Sequence, residues 1–155
     1  MLKKYYLAYG SNLNLEHMAY RCPSAKVVGT TILENHRLVY KGRADDFAYL
    51  TIEKYEGKSV PLGIFEVSHK DISSLDIYEG YPELYKKEYI PVKLGDETKK
   101  VLIYIMNQDL TYHLPSEEYI ESCMTGYEYF GFNKKILEQA LLDTKVNLPK
   151  RLFKC

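Results

Sequence analysis

The chain has 155 residues, 46% of them hydrophobic and 27% charged, with 21 basic side chains balanced by 21 acidic ones. That balance fits one globular domain over residues 1–155 and excludes a disordered or collagen-like chain. Zero net charge argues against non-specific nucleic-acid binding, which needs a basic excess.

Residues 3–9 are apolar and rich in β-formers, predicting a buried first strand. The opening MLKKYYLAYGSN turns polar before an apolar signal segment forms, which argues against secretion. Gly10-Ser11-Asn12 breaks the strand. Residues 15–21 then show helical spacing, with Leu15, Met18 and Ala19 on one side, and Pro23 ends that helix. Residues 26–33 and 36–40 predict a strand pair around Glu34-Asn35, followed by a polar loop over 42–47. Residues 49–55 and 60–67 predict another hairpin around Glu56-Gly57, and Pro61 argues against a central place for its strand.

Ser68 and Asp71 have the spacing of a capping box. The helix they open should end near Tyr78 or Glu79, with Gly80 left-handed. Residues 88–94 and 99–106 flank Gly95-Asp96 as a third hairpin. The apolar run 101–106 is too short to cross a bilayer. Helices are predicted over 116–127 and 133–143, the second capped by Asn133. The sum is an α+β protein with a strongly bent, mostly antiparallel sheet and peripheral helices.

Two stretches carry chemistry. In Tyr9-Gly10-Ser11-Asn12-Leu13 a strand runs through a tight turn into a helix, exposing successive N–H groups that suit an anion. Gly10 is expected at φ > 0, where a β-branched residue fails. The second Gly and the Lys-Ser/Thr pair of a phosphate loop are missing, and by itself Gly-Ser-Asn is more often a plain turn. The other stretch ends a helix with Asp76 and Glu79. Two acids on one turn are ordinarily solvated surface. Glu79, however, sits where the helix dipole disfavours a negative charge, and a broken local rule points to function.

Other chemistry is weaker. His17, His36, His69 and His113 lack metal-ligand spacing, and His17 and His69 read as surface helix residues. Ser11 has no nucleophile elbow around it. Cys22, Cys123 and Cys155 are odd in number and without CxxC spacing, which points to free thiols in a reducing cytoplasm and to no zinc site. Tyrosine is abundant, 16 against 5 Phe and no Trp; most read as sheet residues and a few as pocket lining.

Tyr9-Gly10-Ser11-Asn12-Leu13, followed by Met18, Arg21-Cys22-Pro23 and Ala25, resembles the opening of the gamma-glutamylcyclotransferase-like family. Leu75-Asp76-x-x-Glu79-Gly80-x-Pro82-x-x-Tyr85 resembles its second hallmark. Pro115-Ser116-x-x-Tyr119 with Gly126 and Gly131-Phe132 is similar to its C-terminal segment. Asn133 and Lys87 depart from the Pro and Arg common there. The resemblance implies a small, mixed, β-barrel-like sheet with flanking helices and a pocket closed by the Tyr-Gly-Ser-Asn loop. It implies Glu79 as the acid/base and Tyr9, Gly10, Ser11, Asn12, Leu13, Tyr85 and Tyr119 as substrate-binding residues, with no metal and no cofactor. Tyr104 is a weaker choice, for which a core role is favoured.

The activity so implied is release of 5-oxoproline from a γ-glutamyl compound, branches of the family acting on γ-glutamyl amino acids, γ-glutamylamines or glutathione. The alternative within the same fold is a γ-glutamylamine or protecting-group-removing cyclotransferase, which shares the reaction and differs in leaving group. The alternative from another class is a non-catalytic module that binds a small anion in the same pocket. An intact Glu79 favours the enzyme, because a binder of anions gains nothing from a carboxylate there. The expected partner is a small γ-glutamyl molecule, with neither nucleic acid nor membrane. The leaving amine and the oligomeric state stay open.

Overall fold

In a computed structural model that describes residues 3–149, the first apolar stretch becomes β1 (Lys4–Ala8), whose last three residues are buried. A 3-10 turn over Ser11–Leu13 leads into α1 (Leu15–Arg21). β2 (Lys26–Gly42) and β3 (Ala48–Val67) follow, then α2 (His69–Tyr78). β4 (Tyr85–Leu94), β5 (Glu97–Met106), the short β6 (Thr111–Tyr112), α3 (Glu117–Phe130) and α4 (Lys135–Val146) complete the order. The strands form one six-stranded sheet in the order β4-β5-β1-β3-β2-β6. Only β1 with β5 is parallel; the other pairs are antiparallel. The sheet curls into a half-barrel with helices around it, the α+β class expected. Among the described residues no helix is long and apolar enough to cross a membrane.

The two hairpins expected between residues 26 and 67 are in fact one. β2 and β3 pair along their length through a single turn, the polar loop after Gly42. Asn35 (φ 57) and Gly57 (φ 86) have turn-like backbones, but they mark a break in register between Glu34 and His36. There the Gly57 N–H donates to Asn35 Oδ1 at 3.1 Å. Turn residues and bulge residues satisfy the same backbone demand, so local sequence does not separate them. Pro61 does lie in a central strand. The β1 ladder on that side ends at Ala8 opposite Gly63, so the missing N–H falls just beyond it.

Capping explains where α2 begins and ends. Ser68 Oγ accepts from the Asp71 N–H at 3.1 Å, and Asp71 Oδ2 accepts from the Ser68 N–H at 3.0 Å. Gly80 follows at φ 62, a left-handed conformation that only a residue without Cβ takes freely. Ser68→Ala removes half of this box, and chemical denaturation should show a loss of about 1 kcal/mol. In α1 only Met18 is buried. Ala19 is exposed, against the expectation from spacing, because a two-turn helix rests on the core by one side chain. α4 starts two residues later than expected, though Asn133 Oδ1 still accepts from the Lys135 N–H at 3.0 Å. Cys22 and Cys123 are free and buried; Cys155 lies outside the described residues.

Candidate active site

Where α2 ends, Glu79 stands as its C-cap residue. Its N–H bonds to the Leu75 carbonyl at 2.8 Å, so it closes the helix and its direction is set by the helix frame. Across from it runs the turn after β1. That turn is held from inside by Leu13, whose fully buried side chain sits in a socket with no room for a Cβ on either neighbouring glycine. A Cβ on Gly63 of β3 would lie 2.7 Å from Leu13 Cδ2, and one on Gly126 of α3 would lie 2.6 Å from the Leu13 carbonyl carbon. The turn is thereby wedged between sheet and helix.

The result is a cavity of about 220 Å³. Tyr9, Gly10, Ser11, Asn12, Glu79, Tyr85 and Tyr119 all line it, so three separate stretches of sequence meet there. Leu13 does not: its side chain is the anchor beneath the turn rather than a wall, because the turn rotates it into the core. Gly10 has φ −128, so the expectation of a positive φ is overturned. Its constraint is space. A Cβ there would lie 3.2 Å from the Tyr119 hydroxyl and 3.5 Å from Leu50. Leu13 and Asn14 N–H groups close the turn onto the Gly10 and Ser11 carbonyls, each at 3.0 Å. Among the described residues the N–H groups of Gly10, Ser11 and Asn12 have no protein acceptor.

The tyrosine walls are rigid because their hydroxyls are tied to the backbone. Tyr9 donates to the Tyr104 carbonyl at 2.6 Å and Tyr85 to the Leu50 carbonyl at 2.7 Å. Tyr119 accepts from the Leu50 N–H at 3.1 Å. Tyr104 also lines the cavity, while its hydroxyl donates to Asp76 Oδ1 at 2.6 Å. Asp76 is thus a structural acid, held by Lys87 Nζ at 2.9 Å. Burial pushes the hydroxyls of Tyr6, Tyr9, Tyr85, Tyr104 and Tyr119 above their usual range, so they stay protonated.

Glu79 keeps partial solvent exposure, yet its carboxyl group is hemmed in by protein atoms. Desolvation raises its pKa from 4.5 to about 8, against the opposing pull of the Arg21 guanidinium. Asn12 Nδ2 donates to Glu79 Oε1 at 3.3 Å. A carboxyl group that titrates near neutrality inside a cavity suits both taking and giving protons.

Sequence reasoning missed Tyr6, Leu7, Tyr49, Leu50, Tyr78 and Leu84 as lining residues. Tyr78 had a signal, being next to Glu79. The others come from strands and a loop whose approach to the cavity only the curl of the sheet decides.

The profile of the family described as "Gamma-glutamyl cyclotransferase, AIG2-like" matches residues 6–123. A solved structure named gamma-glutamyl cyclotransferase aligns over 99% of this chain and 93% of its own, at 21% identity and TM-score 0.72. An uncharacterised protein from Homo sapiens aligns over 99% and 92%, with the same identity and TM-score. YkqA from Bacillus subtilis aligns over 94% of this chain and 55% of its own, at 17% identity and TM-score 0.71. At these identities the structural likenesses speak to the fold. No curated protein sequence matches the chain significantly.

Proposed function

This chain belongs to the gamma-glutamyl cyclotransferase, AIG2-like family, and on that premise we propose that it releases 5-oxoproline from a γ-glutamyl compound. The observation that carries this reading is the Glu79 carboxyl, raised to about 8 and placed in a tyrosine-walled cavity opposite the Gly-Ser-Asn turn. In such a substrate the α-amine and the γ-carbonyl belong to one molecule. Attack of the amine forms a five-membered lactam and breaks the bond to the leaving amine. Well-oriented intramolecular attack reaches effective molarities of roughly 10⁵ M or more, so no side-chain nucleophile is required.

Proton traffic falls to Glu79. Its pKa of about 8 lies far closer to that of the substrate ammonium than the roughly 4.3 of an ordinary glutamate, so taking the proton costs much less. The freed amine closes the ring, and Glu79 delivers a proton to the departing nitrogen. The free N–H groups of Gly10, Ser11 and Asn12 are the donors for the oxyanion or the substrate carboxylate, and Tyr9, Tyr85 and Tyr119 hold the chain curled. At about 220 Å³ the cavity is smaller than the roughly 300–1,000 Å³ of drug-sized pockets. It takes the glutamyl part and leaves the amine toward the mouth.

Incubation with a γ-glutamyl amino acid, a γ-glutamylamine and glutathione should yield 5-oxoproline from at least one. Binding without release from any of them would favour the anion-binding module. Gly10→Val tests the turn. Its branched side chain must push Tyr119 off the Leu50 N–H, and if the overpacking cost of about 1–3 kcal/mol falls on binding, KM should rise about 5- to 150-fold. A folded variant with unchanged KM would remove the turn from the site.

A further inference from the structure

Four side chains around Glu79 fix one another's directions. Arg21 Nη1 donates to Asn12 Oδ1 at 2.5 Å. A guanidinium has donors and no acceptor, so the amide oxygen must face it. The Asn12 NH2 group is then left for the Tyr6 hydroxyl at 2.8 Å and Glu79 Oε1 at 3.3 Å. Arg21 does not line the cavity. Its guanidinium carbon lies 3.5 Å from the centroid of the Tyr78 ring, and the Tyr78 hydroxyl is in turn 3.0 Å from Ser11 Oγ.

We propose that Arg21 is a positioning residue of this site: resting on Tyr78, it locks the Asn12 amide with its NH2 group toward Glu79. Glu79 Oε1 is thereby occupied, and Oε2 accepts no hydrogen bond among the described residues, so Oε2 is the oxygen that meets the substrate ammonium. The arrangement also makes Arg21 the charge that acts on the acid. Tyr6 and Tyr9 from β1, Tyr78 from α2, Tyr85 from β4 and Tyr104 from β5 face Glu79 with neutral hydroxyls. Arg21, at the end of α1, is the cation that favours its ionised form. A stacked, donor-only fork suits this duty because both its plane and its polarity are fixed.

The inference rests on Glu79 being the acid/base, and its test is read without turnover as well as with it. In the wild type, NMR should show the Asn12 side-chain amide signals titrating together with the Glu79 carboxyl, and Glu79→Gln should abolish that titration. In Arg21→Gln the Glu79 midpoint should rise, and kcat at neutral pH should fall at least about tenfold, with KM within about twofold of wild type. Arg21→Lys keeps the charge and the donor-only polarity but loses the planar fork stacked on Tyr78, so it should bring the Glu79 midpoint back toward wild type and restore the rate only in part. A folded Arg21→Gln protein with unmoved midpoint and unchanged kcat would overturn the proposal. So would Asn12 amide signals in the wild type that stay flat over roughly pH 6–9, a result readable even if the variants do not fold. Absence of 5-oxoproline release by the wild type would instead strike the activity alone.

Discussion

Glu79→Gln should lower kcat by about 10²–10⁴-fold, the usual contribution of one positioned acid/base, while substrate binding and fold persist. The amide keeps the shape, and its oxygen still accepts from Asn12 Nδ2, but it cannot carry a proton. For the wild type, kcat/KM should rise with pH until the free carboxyl, with its pKa of about 8, is ionised. That limb should be missing from the residual activity of the Gln variant. Release of 5-oxoproline across pH 5 to 9, a span of roughly the unfolded carboxylate value to the α-amine value, reads both effects. A Gln variant within about tenfold of wild type, or some 1.4 kcal/mol of barrier, would show that Glu79 is not the base.

The same substitution has a stability signature of opposite sense. Between 4.5 and about 8 the folded protein holds a proton on Glu79 that the unfolded chain has released. Stability therefore falls as pH rises through this window and levels off above the folded value. Below the unfolded value both states are protonated and the contribution is full. Gln carries no such proton, so its Tm should gain on that of the wild type from pH 5 toward pH 8, within the window set by those two values. A Tm difference independent of pH would mean that the carboxyl is not desolvated in the folded state.

Gly126→Ala should give the largest loss of stability for the smallest change of side chain. The new methyl would stand 2.6 Å from the Leu13 carbonyl carbon and 2.7 Å from the Asn14 nitrogen. Both are backbone atoms in the turn that carries the site, and neither moves aside as a side-chain tip does. Overpacking ordinarily costs about 1–3 kcal/mol, and the upper end applies here. For a chain of this size that is a fall in Tm of roughly 10 °C. Because α3 must back away from the turn, KM should rise as well. Gly29→Ala is the control: its Cβ would meet only Ile64 Cδ1, at 3.9 Å, so thermal unfolding should hardly change. Equal melting of both variants would mean that α3 does not set the turn.

Much of the site was legible because it is built from local rules and their violation. The Ser68–Asp71 capping box and Gly80 mark both ends of α2 in the sequence, and between them they leave Glu79 stranded at an unfavourable helix end. The Gly-Ser-Asn break after an apolar strand was equally plain. The role of Leu13 was not legible. Position in a motif does not say which way a side chain turns, and here the 3-10 turn sends it into the core between Gly63 and Gly126. Asp76 shows the converse. In Leu75-Asp76-Ile77-Tyr78-Glu79 the helix end singles out Glu79, but nothing in the stretch marks Asp76 as a structural acid. Tyr104 and Lys87 do so by closing on Asp76, and they arrive from β5 and β4.

Strand periodicity, capping residues and turn residues act over a few residues, so the sequence by itself determined the helices, the strand content and the α+β class. Pairing acts over the whole chain. β2 with β3 as one long ribbon, β1 parallel to β5, and the curl that brings Tyr9, Glu79, Tyr85 and Tyr119 around one cavity belong to the tertiary structure alone. The pKa of Glu79 belongs there too. A helix end disfavours the charge only modestly, by about 0.3–1 kcal/mol at an exposed site. The larger shift comes from desolvation, which exists only once walls from separate strands have closed around the carboxyl group and displaced its water.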